Sequence, residues 1–269
     1  MLEQKRILIT GAAKGMGREI ALEAARQGAE CVGIADIDTG GIGTLRSEIE
    51  QIGSRVIEIE VDLRDGEQIN DMIEHFAEMA GGLDTLINNA GVLDHVYTNP
   101  DAVRVHELDE DAWDAVMDIN LKAVWRTIKA AAPHLLASPR GPSVINAASV
   151  AGMTGSRMTA YSVSKAAVLQ LTRTAAVGLA PTVRVNAFSP GSIRTPMSQS
   201  HLDAAQDRKQ RARSMYGTHL IPRLGETSEI SAVVCFLASD AASFVTGINF
   251  PVDGGTMAWR GVQDEVEID

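Results

Sequence analysis

The chain has 269 residues, which suits one large α/β domain or two small ones, and 45% of them are hydrophobic, which is ample material for a core. The formal net charge of −11 argues against nucleic acid and anionic membranes as partners, since both attract basic surfaces. The N-terminus leads into a strand-like run without an extended apolar region, and the apolar stretch 232–238 is far too short to span a bilayer. We therefore expect a cytoplasmic protein that acts on a small molecule.

The two cysteines, Cys31 and Cys235, both lie within apolar runs. This placement favours core positions over a disulfide or a metal pair. The six histidines are scattered and none belongs to a His-x-x-x-His pattern, so the sequence predicts no bound metal.

The first predicted elements are a strand, a turn, a helix and a second strand. The apolar run 7–9 is typical of a buried strand. Apolar positions three and four residues apart predict a helix over 18–27, which Gly28 would end. The second strand covers 31–35 and leads into Asp36.

The turn of this unit carries Gly11, Gly15 and Gly17 with the spacing Gly-x-x-x-Gly-x-Gly. Glycines let the backbone approach a pyrophosphate, and the helix N-terminus supplies oriented N–H groups and a partial positive charge. Asp36 is placed to accept hydrogen bonds from the adenosine ribose. Alone, the glycines are equally compatible with a tight turn. With both strands, the helix and the acid, they indicate a dinucleotide site.

Strand-like and helical runs alternate over the rest of the chain. The further predicted strands cover 56–61, 85–87, 143–147, 183–188 and 247–252, and the further helices cover 67–79, 110–132, 161–178 and 230–237. We expect Pro133 to end the helix over 110–132. The alternation is the signature of a parallel sheet covered on both faces, and we expect residues 1–269 to form a single domain.

Three segments fall outside this alternation. Residues 93–106 are polar and irregular and predict a loop over the site. Residues 192–222 have weak periodicity and many charges, which predicts a mobile substrate lid with short helices. Residues 261–269 form an acidic tail.

Polar residues follow several of the predicted strands. They are Asp36, Asp62, Asn89, Ser149 and the pair Pro190-Gly191. In an open α/β sheet, ligands bind at the edge where the strands end. Each of these residues alone is more often a turn residue, but their shared placement predicts a site at that edge.

Tyr161 and Lys165 lie four residues apart, a spacing that puts both side chains on one face of a helix. A phenol has a pKa of about 10. A fixed ammonium beside it favours the phenolate and lowers that pKa, which suits the tyrosine to exchange a proton with an alcohol or carbonyl oxygen. By itself, such a pair is far more often a surface pair.

Together these motifs resemble the short-chain dehydrogenase/reductase family in its single-domain form. The matching residues are Thr10-Gly11-x-x-x-Gly15-x-Gly17, Asn88-Asn89-Ala90-Gly91, Asn120, Ser149, Tyr161-x-x-x-Lys165, and Pro190-Gly191 followed by Thr195. The resemblance covers residues 2–259. It implies a doubly wound (Rossmann) parallel sheet of about seven strands with helices on both faces, usually assembled as a homotetramer.

The resemblance also implies roles for four residues. Tyr161 would be the general acid or base, and Lys165 would lower its pKa and hold the nicotinamide ribose. Ser149 would hydrogen-bond the substrate oxygen. Asn120 would mark a helix interruption that keeps a water in a proton relay with Lys165. Ser149 precedes Tyr161 by one residue fewer than is common, which would shift the wall of the substrate pocket.

A set of cofactor-binding residues follows from the same resemblance. They are Gly11, Lys14, Gly15, Met16, Gly17, Asp36, Ile37, Asp62, Leu63, Asn89, Ala90, Gly91, Tyr161, Lys165, Pro190, Gly191, Ile193 and Thr195. The cofactor is expected to be NAD, because Asp36 would repel the 2′-phosphate of NADP at close range. Lys14 is the counter-argument, since a base in the glycine turn can touch that phosphate.

The expected activity is metal-independent hydride transfer between NAD and a secondary alcohol or ketone. Two alternatives are an epimerase or dehalogenase on the same fold, and a non-catalytic nucleotide-binding regulator.

Overall fold

A computed structural model of the protein describes residues 1–99, 103–203, 205–259 and 261–263. Most of the predicted acidic tail, residues 264–269, lies outside the described residues, as do residues 100–102 of the predicted loop and residue 204 of the predicted lid.

Seven strands in the described residues form one sheet in which every pair is parallel. The strands are β1 (Arg6–Thr10), β2 (Cys31–Asp36), β3 (Arg55–Glu60), β4 (Thr85–Asn88), β5 (Ser143–Ala147), β6 (Arg184–Pro190) and β7 (Asn249–Val252). Their order is β3-β2-β1-β4-β5-β6-β7. The predicted doubly wound sheet is confirmed, and the order reverses between β1 and β4, where such sheets bind ligands.

Helices cover both faces of the sheet. They are α1 (Gly15–Arg26), α2 (Ile42–Ile52), α3 (Gly66–Ala80), α4 (Glu110–Met117), α5 (Ala123–Ala137), α6 (Thr159–Leu179), α7 (Pro196–Asp203), α8 (Arg208–Tyr216) and α9 (Thr227–Ala238). Alternate strand residues face opposite sides, so that Ile7 and Ile9 pack with α1, α2 and α9, whereas Leu8 packs with α3 and α5. The core therefore consists of two apolar layers separated by the sheet.

The predicted single helix over 110–132 is wrong in two respects. A π-helical turn, Asp118–Lys122, separates α4 from α5, and α5 continues through Pro133 to Ala137. Proline removes one hydrogen-bond donor, but Leu135 beyond it is fully buried against the sheet and holds the last turn in place.

Helix α2 was not predicted, although Ile42, Leu45 and Ile49 lie at helical spacing and are buried in the core. Within the described residues, no helix is both long and apolar enough to cross a membrane.

A buried ion pair holds the amino edge of the sheet together. The fully buried carboxylate of Asp84, just before β4, accepts from Arg6 through the backbone N–H and Nε at 2.8 Å each and through a terminal guanidinium nitrogen at 2.6 Å. The Ser138 hydroxyl donates to the same carboxylate at 2.6 Å. Burial opposes ionisation of Asp84, but the hydrogen bonds from Arg6 and Ser138 hold its pKa below the ordinary value.

We expect Asp84→Ala to lower the free energy of unfolding by about 3 to 5 kcal/mol at pH 7, because it leaves a buried guanidinium without its partner. The difference in free energy of unfolding between wild type and variant should shrink as the pH falls below about 4, because the Asp84 carboxylate of the wild type is then protonated. Urea denaturation at pH 7 and pH 3 measures both effects. The control is Asp71→Ala on the exposed side of α3, expected to stay within about 0.5 kcal/mol of wild type. Equal stability of the two variants at pH 7 would contradict the prediction.

Candidate active site

A cleft of about 670 Å³ lies at the carboxyl ends of the first four strands. Of the residues predicted to bind the cofactor, those that line it are Gly11, Lys14, Gly15, Met16, Asp36, Ile37, Asp62, Leu63, Asn89, Ala90, Gly91 and Thr195. The predicted residues outside its lining are Gly17, Tyr161, Lys165, Pro190, Gly191 and Ile193. The cleft thus collects most of the glycine turn and the residues at the ends of β2, β3 and β4, together with Thr195.

The floor of the cleft is a close approach between the glycine turn and the end of β4. A Cβ atom on Gly11, whose φ is +65°, would lie 2.7 Å from the Cα of Ala90. Gly17 is held behind the turn, where a Cβ would overlap the carbonyl oxygen of Gly11. Asn89 fastens the two segments, because its Nδ2 donates to the Thr10 and Gly11 carbonyl oxygens at 3.2 and 2.9 Å.

The other end of the Asn89 side chain is free to meet a ligand. Its Oδ1 is buried and has no hydrogen-bond partner among the described residues. A buried polar atom without a partner is costly, and a ligand donor at this position would remove the cost. The close-packed glycine floor and this unpaired oxygen fit a dinucleotide laid across the turn.

The acidic end of the cleft is built by Asp36 at the end of β2. Its carboxylate accepts from the backbone N–H groups of Ala13 and Asp38 at 2.9 and 3.0 Å. The Lys14 ammonium instead pairs with the Asp38 carboxylate at 3.2 Å. Backbone donation from Gly40, together with Lys14, lowers the pKa of Asp38. The one base predicted in the glycine turn is therefore engaged by a second acid.

The four predicted catalytic residues meet beyond the carboxyl ends of β4 and β5. Asn120 is buried in the π-helical turn, where its Oδ1 accepts from Val92 N at 2.8 Å and its Nδ2 donates to Val92 O and Ser164 Oγ at 2.9 and 3.2 Å. The helix interruption that the resemblance implied at Asn120 is thus present. The role of Asn120 in a water relay stays a prediction.

Gly91 separates the cleft from the catalytic residues. A Cβ atom there would lie 3.2 Å from Lys165 Nζ and 3.4 Å from Asn120 Oδ1. Lys165 is buried, donates to Ala147 O at 2.8 Å, and lies 5.7 Å from the centroid of the Tyr161 ring. The lysine therefore stands between the end of the cleft and the tyrosine.

Ser149 completes the group. It follows β5, is 8% exposed, and its side chain acts on Tyr161 so as to lower the pKa of the phenol. Its Oγ accepts from Ala151 N at 3.1 Å, which caps the short 3₁₀ turn Val150–Gly152. The serine and tyrosine side chains are thus neighbours, as a shared contact to one substrate oxygen requires.

Comparisons with known proteins agree with this geometry. The family model described as enoyl-(acyl carrier protein) reductase matches residues 11–257. The 3-oxoacyl-[acyl-carrier-protein] reductase of Thermotoga maritima is 36% identical over 256 residues, which cover 94% of this chain and 98% of that protein. The (−)-trans-carveol dehydrogenase of Rhodococcus erythropolis is 33% identical, with 93% and 96% covered.

The carveol dehydrogenase of Mycobacterium avium, solved in complex with NAD, superposes with a TM-score of 0.87 at 30% identity and covers 96% of this chain and 99% of its own. The chain belongs to the short-chain dehydrogenase/reductase family. The resemblance noted from the motifs is confirmed, as is the doubly wound fold that it implied.

Sequence reasoning missed several residues that line the cleft of this family member. They are Asp38, Val61, Arg64, Val92, Val96, Tyr97, Ile119 and Pro196. Asp62, predicted to bind the cofactor, accepts hydrogen bonds from Arg64 with both carboxylate oxygens, and the shortest contact is 2.5 Å. That pair lowers the pKa of Asp62. The two-residue spacing of acid and base was the available signal for Arg64, whereas Val96 and Tyr97 belong to a loop with no readable pattern.

Electrostatics in the catalytic group differ from the expectation that Lys165 lowers the pKa of Tyr161. In the protein alone, burial raises the pKa of Tyr161, the hydrogen bond with Ser149 opposes this, and the carboxylate of Asp94 adds to it. Burial also lowers the pKa of Lys165 to about 8. The ammonium donates to the Ala147 carbonyl rather than to the phenol, so that desolvation dominates at both groups.

The segment predicted as a lid, 192–222, contains α7 and α8. Within it, Tyr216 is buried in a small cluster with Leu202, Ala212 and Leu224. His219 ties the ends of the segment together, because its ring accepts from Ser192 N at 3.2 Å and bonds to Arg223 O at 2.8 Å. Its action as a lid stays a prediction.

Pro190 ends β6, Gly191 N donates to Val252 O at 3.0 Å, and Ile193 forms an isolated bridge with Gly225. Thr195 reaches the cleft, where its Cγ2 would contact a Cβ on Gly15 at 3.5 Å. This stretch therefore runs from the last strands of the sheet to the glycine turn. Among the described residues, no group of three or more His, Cys, Asp or Glu side chains could hold a metal ion.

The buried lysine predicts a distinctive dependence of stability on pH. Its pKa of about 8, lowered from 10.5, means that the unfolded chain binds a proton that the folded protein has lost between these two values. We expect the free energy of unfolding of the wild type, measured without nucleotide, to rise relative to Lys165→Met by about 3 kcal/mol between pH 8 and pH 10.5.

Below pH 8 the difference between the two proteins should be constant. Urea denaturation at pH 7, 9 and 10.5 measures it, with Lys209→Met on exposed α8 as the control that should show no such rise. A difference between wild type and Lys165→Met that stays flat over the whole range would contradict the burial argument.

Proposed function

We propose that the protein is an NAD-dependent dehydrogenase/reductase that interconverts a secondary alcohol and its ketone. The observation that carries this proposal is the juxtaposition of Ser149, Tyr161 and Lys165 next to a cleft with the form of a dinucleotide site. A bound nicotinamide dinucleotide would supply the acceptor or donor of the hydride. The protein's own residues would hold the substrate oxygen and move its proton.

In this proposal, Tyr161 is the general base in oxidation and the general acid in reduction. The Ser149 hydroxyl, which hydrogen-bonds with Tyr161, holds the substrate oxygen beside the phenol. Lys165 stands at the end of the cleft, where it would hold the nicotinamide ribose. Its ammonium would stabilise the phenolate when a bound dinucleotide and substrate replace its present environment. The hydroxyls of Ser149 and Tyr161, rather than a metal, would then polarise the substrate oxygen.

The preference for NAD is supported by the acidic end of the cleft. The Asp36 carboxylate accepts hydrogen bonds from the backbone N–H groups of Ala13 and Asp38. Its two oxygens can accept further hydrogen bonds from ribose hydroxyls. A 2′-phosphate would meet this carboxylate and that of Asp38. Lys14 and Arg64, the bases that line the cleft, are each paired with an aspartate.

A small cyclic secondary alcohol is the substrate class that we favour. The named carveol dehydrogenases match nearly the whole chain. Reduction of a 3-oxoacyl thioester is the second candidate, because the Thermotoga maritima reductase is 36% identical. The net charge of −11 weighs against an acidic carrier protein as partner. Initial rates with carveol, cyclohexanol and an acetoacetyl thioester separate the two candidates.

We also propose that the protein is cytoplasmic and assembles as a homotetramer. Large apolar side chains exposed on two helices support the assembly, with Trp125 on α5 exposed at 47% and Val177 on α6 at 81%.

Tyr161→Phe should reduce alcohol oxidation by about 100- to 10,000-fold, because it removes the group that takes the hydroxyl proton and little else. NADH binding, followed by fluorescence, should remain within about threefold of wild type, since the phenol makes at most one hydrogen bond to the cofactor. The matched control is Tyr97→Phe, which removes a hydroxyl from the cleft lining away from the catalytic group. Full alcohol oxidation by Tyr161→Phe would end the assignment of Tyr161 as the acid–base residue, whereas a wild type that oxidises no alcohol would favour the same-fold epimerase, dehalogenase or regulator alternatives.

Asp36→Asn should lower the ratio of NADH affinity to NADPH affinity about tenfold. This factor corresponds to about 1.4 kcal/mol for one removed like-charge contact. Fluorescence titration with each cofactor measures the ratio. Asp71→Asn is the control, because it removes the same charge from an exposed face of α3. A wild type that binds NADPH as tightly as NADH would overturn the cofactor assignment without touching the reaction class.

A further inference from the structure

A carboxylate from the predicted loop 93–106, that of Asp94, contacts the backbone of Tyr161. Asp94 begins a short 3₁₀ turn, Asp94–Val96, six residues after β4, and its side chain is fully buried. Its Oδ1 accepts from the backbone N–H of Tyr161 at 2.7 Å and its Oδ2 accepts from that of Ala160 at 3.1 Å. One carboxylate thus binds the backbone of the predicted acid–base residue itself.

This contact replaces a local cap at the start of α6. The helix begins at Thr159, and the described residue before it, Met158, makes no side-chain hydrogen bond to the first turn, which carries no acid of its own. The first N–H groups of a helix need acceptors from outside, and a carboxylate there also interacts favourably with the helix dipole. Asp94 meets both needs for the second and third residues of α6.

A second contact from the same loop holds the first residue of the helix. Both the backbone N–H and the hydroxyl of Thr159 donate to Val103 O, at 3.3 and 2.8 Å. The first turn of α6 is therefore bound from the loop on three successive residues. Because Tyr161 belongs to that turn, the position of its phenol relative to Ser149 depends on these contacts.

We propose that Asp94 is a positioning residue for Tyr161: its carboxylate holds the first turn of α6 so that the phenol faces Ser149, and it buries a negative charge against the backbone of Tyr161. The inference rests on the proposed role of Tyr161 as acid and base. It adds a residue that none of the sequence motifs contains.

The charge environment of the phenol supports this role. Asp94 raises the pKa of Tyr161, in addition to the larger effect of burial. On α6 itself the facing charge is Lys165, and from β5 the facing polar group is Ser149. Acids of α4 are exposed, and Asp118 of the π-helical turn pairs with Lys122 at 3.0 Å. His95, next to Asp94, is half-buried.

The test removes the charge and keeps the shape. Asp94→Asn retains an oxygen that can accept one of the two N–H groups, whereas Asp94→Glu retains the charge and displaces it by one methylene. The matched control is Asp111→Asn, which removes the same charge from the exposed first turn of α4. Far-ultraviolet circular dichroism verifies that each variant is folded.

Titration of the phenol gives a readout independent of turnover. The chain has only three tyrosines, so ¹³C NMR of ring-labelled protein resolves them, and Tyr161→Phe assigns the signal. We expect Asp94→Asn to lower the titration midpoint of Tyr161 relative to wild type and to Asp111→Asn, because it removes a buried negative charge. The pH profile of alcohol oxidation should shift in the same direction, because less alkaline solution then suffices to form the phenolate.

Asp94→Glu should keep the high midpoint and lower kcat about tenfold or more at unchanged KM for NAD, because misplaced geometry costs turnover rather than cofactor binding. It also serves as the second variant if Asp94→Asn fails to fold. A midpoint and a pH profile in Asp94→Asn that match Asp111→Asn, with Tyr161→Phe inactive, would overturn the inference and leave the proposed function standing. A shifted midpoint in a protein that oxidises no alcohol would overturn the proposed function and leave the contact between Asp94 and Tyr161 in force.

Discussion

Parallel pairing of all seven strands is the constraint on which the molecule depends. A chain that leaves one strand must return to the other end of the sheet before it can form the next, and the returns become helices on both faces. All strands then end at one edge. The cleft, the catalytic group and the first turn of α6 lie at that edge, which brings together residues that are far apart in the chain.

The two edges of the sheet handle buried charge differently. At the amino edge, the Asp84 carboxylate accepts several hydrogen bonds from Arg6 and one from Ser138, so its charge is well compensated. At the carboxyl edge, Lys165 makes one hydrogen bond, to a carbonyl oxygen. The negative charge of Asp94 disfavours the phenolate form of Tyr161, because both groups would be negative. Burial lowers the pKa of Lys165 to about 8, and perturbed pKa values of this kind cluster at functional sites.

Much of the fold and of the cleft could be predicted because their signals are local. Apolar runs locate strands, and the glycine turn with Asp36 forms a compact pattern within forty residues. The contacts that set the chemistry are not local. Asp94 and Tyr161 are distant in the chain, and their contact depends on how a loop without periodicity folds back over a helix. The effect of burial on the pKa of Tyr161 could not be predicted from the Tyr161–Lys165 spacing for the same reason, since burial is a property of the assembled protein.

The predicted helix boundaries were wrong where tertiary packing competes with helix propensity. Pro133 lies inside α5 because Leu135 is anchored in the core, and the π-helical turn at Asn120 has no signal in hydrophobic periodicity. Helix α2 was within reach of hydrophobic periodicity, because Ile42, Leu45 and Ile49 lie at helical spacing.

The segment 192–222 has an apolar cluster of its own around Tyr216, and one imidazole, that of His219, joins its two ends. Such a segment is nearly a module. If it is the substrate lid that the sequence predicts, its surface could change by mutation while the sheet stays intact, and new specificities could evolve above the same chemistry. This division of labour offers a physical reason why one scaffold serves relatives named for compounds as different as a terpene alcohol and an acyl thioester.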